Sequence, residues 1–136
     1  KLNQLRHVRY FKNLDGVKAH MMRHAEIMRP KFETVLKVLE EELGGLGIGE
    51  WTKPNGGYFI SFDAMEGCAK KIVAKAKEAG LVMTGAGATY PYGKDPKDSN
   101  IRIAPSYPTP EELAVAGSIF VLSVKLVSIE KLLENK

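Results

Sequence analysis

The sequence predicts an α+β fold: a small, mainly antiparallel sheet of about three strands packed with helices, opened by a long kinked helix and closed by a second long helix. Apolar residues recur at steps of three and four through two long stretches. Short β-branched or aromatic runs bounded by turn formers lie between them. The resulting order is helix, strand, helix, strand, strand, helix, which one sheet covered by helices accommodates. A chain of 136 residues has room for one such unit. Residues 1–47 read as an opening segment and a linking helix, residues 48–136 as the α+β body.

Leu2 to Tyr10 is a short amphipathic opening with several basic residues. Asn13-Leu14-Asp15-Gly16 is a turn in which Asp15 can cap the helix that follows. Val17, Met21, Ala25, Met28, Phe32, Val35, Leu39, Leu43 and Leu46 then form one helical stripe. Pro30 removes one backbone donor inside it, but the stripe keeps its phase, so one kinked helix is expected, ended by Gly44-Gly45. A helix this long exceeds the needs of one small core and suits a link between two domains.

Trp51 to Gly57 carries a strong turn signal, and Tyr58-Phe59-Ile60-Ser61-Phe62 follows as a strand. Tyr58, Ile60 and Phe62 would share one face; Phe59, Ser61 and Asp63 the other. Glu66 to Ala79 reads as a helix ended by Gly80, and Leu81-Val82-Met83-Thr84 as a strand. Gly85 to Ser99 lacks periodicity, and loops of that length in compact domains are usually functional or mobile. Asn100 to Pro105 is the third strand. Thr109-Pro110-Glu111-Glu112 supplies an N-cap, a proline at the first helical position and a capping-box glutamate. Val115, Ile119, Leu122, Leu126, Ile129 and Leu133 make the stripe of the last helix; Leu113, Ala116, Phe120, Val124 and Val127 widen it, so burial on more than one side is expected.

Composition narrows the function classes. The net charge is +4, with lysines interspersed among glutamates, so no nucleic-acid surface is indicated. The single cysteine, Cys68, excludes an internal disulfide and a cysteine metal cluster, fits a reducing cytoplasm, and reads as a small packed side chain. The most apolar run, Leu113 to Val124, is interrupted by Gly117, Ser118 and Ser123 and reads as too short for a membrane. The chain begins Lys1-Leu2-Asn3 without methionine, as a piece of a longer protein or a processed product would.

Arg102 is the leading candidate residue. In the third strand it faces away from Ile101 and Ile103 and presents a planar fork of donors suited to a carboxylate or phosphate; the alternative is an exposed arginine on a half-buried sheet. His20 and His24, four apart, lack further metal ligands and read as helix-flank residues. Gly85-Ala86-Gly87 begins like a dinucleotide fingerprint, but Tyr90 holds the third glycine position and no helix follows. Asp63 and Glu66 read as an acid pair or, more simply, as caps of the next helix. Tyr90 and Tyr92, around Pro91, either line a pocket beside Arg102 or pack the loop down. No serine or cysteine nucleophile set stands out.

Trp51-Thr52-Lys53-Pro54-Asn55-Gly56-Gly57-Tyr58-Phe59, then a helix, a strand ending near Gly85, a loop and Asn100-Ile101-Arg102-Ile103-Ala104 resemble the C-terminal small domain of fold-type I (class I/II) pyridoxal-phosphate-dependent aminotransferases. His7-Val8-Arg9, Arg29-Pro30-Lys31-Phe32 and Ala86 to Gly93 point toward the aspartate-aminotransferase-like or MocR-like branch. The resemblance implies that Arg102 binds the substrate α-carboxylate. It places Gly56, Gly57, Gly85, Gly87, Tyr90 and Tyr92 at the border of the active site, and makes the Pro30 helix a link to a large domain. It also implies pyridoxal 5'-phosphate in a full-length, homodimeric cytoplasmic enzyme acting on amino acids and 2-oxo acids. The Schiff-base lysine of the family lies in the large domain, so this chain alone should hold no cofactor and carry no catalytic residue. An effector-binding domain of a transcriptional regulator, or a non-catalytic interaction module, is the alternative.

Overall fold

The computed structural model describes residues 1–55, 57–105 and 108–134. Its elements are α1 (Leu2–Phe11), α2 (Leu14–Leu43), β1 (Gly49–Trp51), β2 (Ile60–Ala64), α3 (Ala69–Glu78), β3 (Asn100–Ile103) and α4 (Pro110–Glu134), with a short 3-10 turn at Pro91–Gly93. The strands form one antiparallel sheet in the order β1-β2-β3, so the α+β architecture with a three-stranded sheet is as the sequence predicts.

The long helix runs through Pro30 without interruption over 30 residues. Its cap is Asn13 rather than Asp15: the Asn13 side chain accepts a hydrogen bond from the Gly16 amide, while Asp15 stands in the first turn, where a negative charge meets the positive helix end. The helix stops at Leu43, so Leu46 lies beyond it and is exposed. Only Val35, Leu39 and Leu43 of α2 are buried, all in its final third; α1 buries no residue and packs on the start of α2.

Three strand boundaries differ from expectation; the simplest is β3, which ends at Ile103 and not at Pro105. Trp51 belongs to β1 instead of a turn, because Trp51 stacks on Phe62 with ring centroids 6.2 Å apart. Gly49 permits this: a Cβ there would fall 2.5 Å from Phe62 Cζ. β2 consequently starts at Ile60 and runs to Ala64, leaving Tyr58 and Phe59 before it. Tyr58 is therefore exposed, not on the buried face with Ile60 and Phe62. The helix expected from Glu66 begins at Ala69, since residues 65–67 form a turn. Leu81-Val82-Met83-Thr84 is no strand. Leu81 and Met83 do pack on the core while Val82 is exposed, so the alternation was genuine, but the segment joins no ladder.

The core joins Leu39 and Leu43 of α2, Ile60, Phe62 and Ile101 of the sheet, Ile72 of α3, and Phe120, Val121, Val124 and Val127 of α4. Phe62 and Phe120 meet edge to face with centroids 5.0 Å apart. The capping box of α4 forms in both directions: the Glu112 amide donates to Thr109 Oγ1 and the Thr109 amide to a Glu112 carboxylate oxygen, each at 3.2 Å. Contrary to the expectation from its interrupted apolar run, α4 is long and apolar enough by length and composition to cross a membrane. The interruptions are mild because Ser118 and Ser123 donate to the carbonyls of Ala114 and Ile119 within the helix. In this fold α4 is instead a core helix, packed on α2 and α3. Its buried side is the Leu113, Phe120, Val124 and Val127 side, while Val115, Leu122, Leu126, Ile129 and Leu133 are exposed.

Candidate functional site

Side-chain alternation splits the sheet into an apolar and a polar face. Ile60, Phe62 and Ile101 are fully buried. Ser61 and Asp63 of β2 and Asn100 and Arg102 of β3 take the other face. The register sets Ser61 opposite Arg102 and Asp63 opposite Asn100.

Arg102 lies over an aromatic ring. Its Cζ is 4.3 Å from the centroid of the Phe59 ring, a cation–π contact. Its Nε is buried and has no hydrogen-bond partner among the described residues. Among the described residues the ion pairs join Lys37 to Glu41, Lys53 to Glu40, Lys75 to Glu130 and Lys125 to Glu42, and none includes Arg102. A buried donor without an acceptor costs stability. Arg102 thus carries a positive charge that no carboxylate among the described residues neutralises.

Beside it, Asn100 is only 6% exposed and makes three side-chain hydrogen bonds to neighbours. Its Nδ2 donates to Ser61 Oγ and to Asp63 Oδ1, both at 2.9 Å, and its Oδ1 accepts from Thr89 Oγ1 at 2.6 Å. The loop from Gly85 to Ser99 is fastened to β3 at both ends. The Gly87 amide donates to the Asn100 carbonyl. Asp95 accepts from the amides of Lys97, Ser99 and Asn100. These amides, Asn100 foremost, hold the Asp95 carboxyl below the usual carboxylate range.

A cavity of about 180 Å³ is lined by Arg102, Leu81, Met83, Thr84, Ala104 and Gly117 among others. Gly57, Gly85, Gly87, Tyr90 and Tyr92 do not line it. Gly57 and Gly85 are exposed, and Gly87 is buried with φ +81°. Tyr92, at the loop tip, is 96% exposed with φ 58°, and Tyr90 is also exposed. Gly56 lies outside the described residues.

The other candidates resolve simply. His20 and His24 have ring centroids 4.4 Å apart, and His20 packs edge to face on Tyr10 and Phe11. Desolvation first, then the charges of His24 and Arg23, push the His20 pKa down. Among the described residues no group of three His, Cys, Asp or Glu could hold a metal. Asp63 and Glu66 do not cap α3; Asp98 does, its carbonyl accepting from the Ala69 amide and its carboxylate from the Lys70 amide. Cys68 is buried, and burial pushes its thiol pKa up, away from nucleophilic use.

A phosphate cradle needs free amides at a helix N-terminus or nest. The starts of α2, α3 and α4 already bond to Asn13, Asp98 and Thr109, and α4 adds Glu111 and Glu112 in its first turn. Each of these three helix starts therefore already has part of its amide set occupied by the chain's own side chains or carbonyls. Sequence reasoning assigned no role to Phe59, Thr89, Asp95 or Asn100. The alternation of Phe59, Ser61 and Asp63 was readable, but their pairing with β3 needed the register.

The whole chain, residues 1–136, matches the family model described as aspartate amino-transferase. An aspartate aminotransferase from Corynebacterium glutamicum is 47% identical over 130 residues, 96% of this chain and 30% of that protein. The crystal structure of an aspartate transaminase from C. glutamicum superposes with a TM-score of 0.91 at 46% identity, over 95% of this chain and 30% of that one. An α-aminoadipate aminotransferase from Thermus thermophilus, complexed with N-(5'-phosphopyridoxyl)-L-leucine, shares the fold at a TM-score of 0.70 and 18% identity, over 82% of this chain and 28% of its own. The chain thus spans about a third of the length of the curated relatives it matches.

Proposed function

The chain belongs to the aspartate amino-transferase family, as its C-terminal small domain, and from that premise we propose that Arg102 binds the α-carboxylate of an amino-acid substrate in a full-length, pyridoxal-phosphate-dependent aminotransferase. The observation that carries this reading is the state of Arg102: a strand-borne guanidinium over the Phe59 ring, its buried Nε without a hydrogen-bond partner and its charge without an ion pair among the described residues. A guanidinium presented this way matches a carboxylate through two parallel bonds. The cofactor and the lysine that carries it belong to the remainder of the parent chain. Residues 1–47 join this domain to that remainder, and the fragment alone is not an enzyme. Amino acids and 2-oxo acids are the substrates, with L-aspartate and 2-oxoglutarate the first pair to assay. The reduced, buried Cys68 suits a cytoplasmic setting.

The test is Arg102→Lys in the full-length parent. Lysine keeps the charge but loses the fork, so kcat/KM for the amino acid should fall about 10- to 100-fold, with the cofactor absorbance unchanged. Near-normal turnover would sink the assignment.

A further inference from the structure

On the polar face of the sheet a carboxylate sits close to the arginine that should remain free. Asp63 lies opposite Asn100 and Ser61 opposite Arg102, so Asp63 and Arg102 are diagonal neighbours on one face. Diagonal positions in an antiparallel pair are within reach of a long side chain, and aspartate and arginine are a well-matched bidentate pair. Yet Asp63 and Arg102 form no ion pair. The Asp63 carboxylate is bonded to Asn100 Nδ2. Asn100 cannot easily turn away: Ser61 takes the other bond from the same nitrogen, and Thr89 donates to its oxygen. Inverting the amide would set its oxygen against an acceptor-only carboxylate.

We propose that Asn100 is a positioning residue that holds the Asp63 carboxylate to itself and so keeps the neighbouring Arg102 guanidinium free for an external carboxylate. Asn100 touches no substrate in this scheme; it prevents an internal acid from competing for the site. The scheme rests on Arg102 being the substrate-binding arginine. It also accounts for a buried asparagine with three side-chain hydrogen bonds beside an arginine that has no ion-pair partner among the described residues.

The experiment uses the full-length parent enzyme with L-aspartate and 2-oxoglutarate. Asn100→Ala releases Asp63 to pair with Arg102, and KM for L-aspartate should rise about two- to fivefold, the range of a partly exposed ion pair, with kcat nearly unchanged. Asn100→Ala combined with Asp63→Asn should bring KM back to the parent value, because the competing charge is gone. A purely structural asparagine would show no such rescue. Asn100→Ser, too short to hold both Ser61 and Asp63, keeps a hydroxyl beside Thr89 and carries the same comparison, alone and with Asp63→Asn, if the alanine variant does not fold. Unchanged KM in the Asn100 variants, or a raised KM that Asp63→Asn leaves raised, overturns the role of Asn100 while Arg102→Lys still reports on the site. A normal KM in Arg102→Lys overturns the function reading and this inference together.

Discussion

Gly85 and Gly87 stand two residues apart in the same loop, yet the structure assigns them opposite tolerances. Gly87 has φ +81°, and a Cβ added there would sit 2.8 Å from the Gly93 carbonyl oxygen and 3.4 Å from the Asp95 amide nitrogen. Gly85 has no left-handed φ and nothing within 4 Å of an added Cβ. Gly87→Ala therefore meets two penalties. A left-handed alanine costs about 1–2 kcal/mol, and relief of the backbone contact adds overpacking of about 1 kcal/mol or more. The sum is about 2–3 kcal/mol, which for a domain of this size lowers Tm by roughly 7–10 °C if the loop unfolds with the rest. Gly85→Ala should change stability by less than about 0.5 kcal/mol. Urea denaturation gives the two values, and amide exchange at Gly87, Ser99 and Asn100 separates local opening of the loop from global loss. If the two variants prove equally stable, with equal exchange at those amides, the reasoning from Gly87's conformation is wrong.

Two further outcomes follow from named contacts. The folded-state pKa of Asp95 is depressed by backbone amides, so its contribution is present above the ordinary aspartate pKa and is lost as pH falls through the depressed folded value; exchange protection at Ser99 and Asn100, relative to the intrinsic rate at each pH, should fall on acidification, and Asp95→Asn should abolish that pH dependence. Thr109→Ala removes the side-chain half of the α4 capping box and should cost about 1 kcal/mol in urea denaturation, with Thr109→Ser recovering most of it.

What the sequence made legible was set by local chemistry. The α4 start was readable because threonine, proline and glutamate at fixed offsets have one good structural use. The α2 stripe was readable through its period, even across Pro30. β1 was not, since Gly49-Glu50-Trp51 has little strand propensity and is held by Trp51 stacking on Phe62, a contact made with a strand nine or more residues away. Leu81 to Thr84 shows the reverse error: alternation alone reports which side chains turn inward, while a strand also needs a ladder partner. The same limit applied at the candidate site. Arg102 announced itself by residue type and flanking isoleucines, but Phe59 and Asn100 gain meaning only through contacts that depend on a pairing some 40 residues apart in sequence. On α4 the heptad-like stripe was visible, and the structure buries the other face.

The placement of α2 has a mechanical side. A helix of 30 residues is a rod of about 45 Å, and its buried anchors, Val35, Leu39 and Leu43, are confined to one end. A tilt of about 5° at that end carries the far end through roughly 3 Å, because displacement grows with the 1.5 Å rise of each unanchored residue. The anchored end of α2 is thereby a fulcrum: a small rotation there becomes a larger stroke at Leu14, and a displacement at Leu14 is reduced in the same ratio at the core.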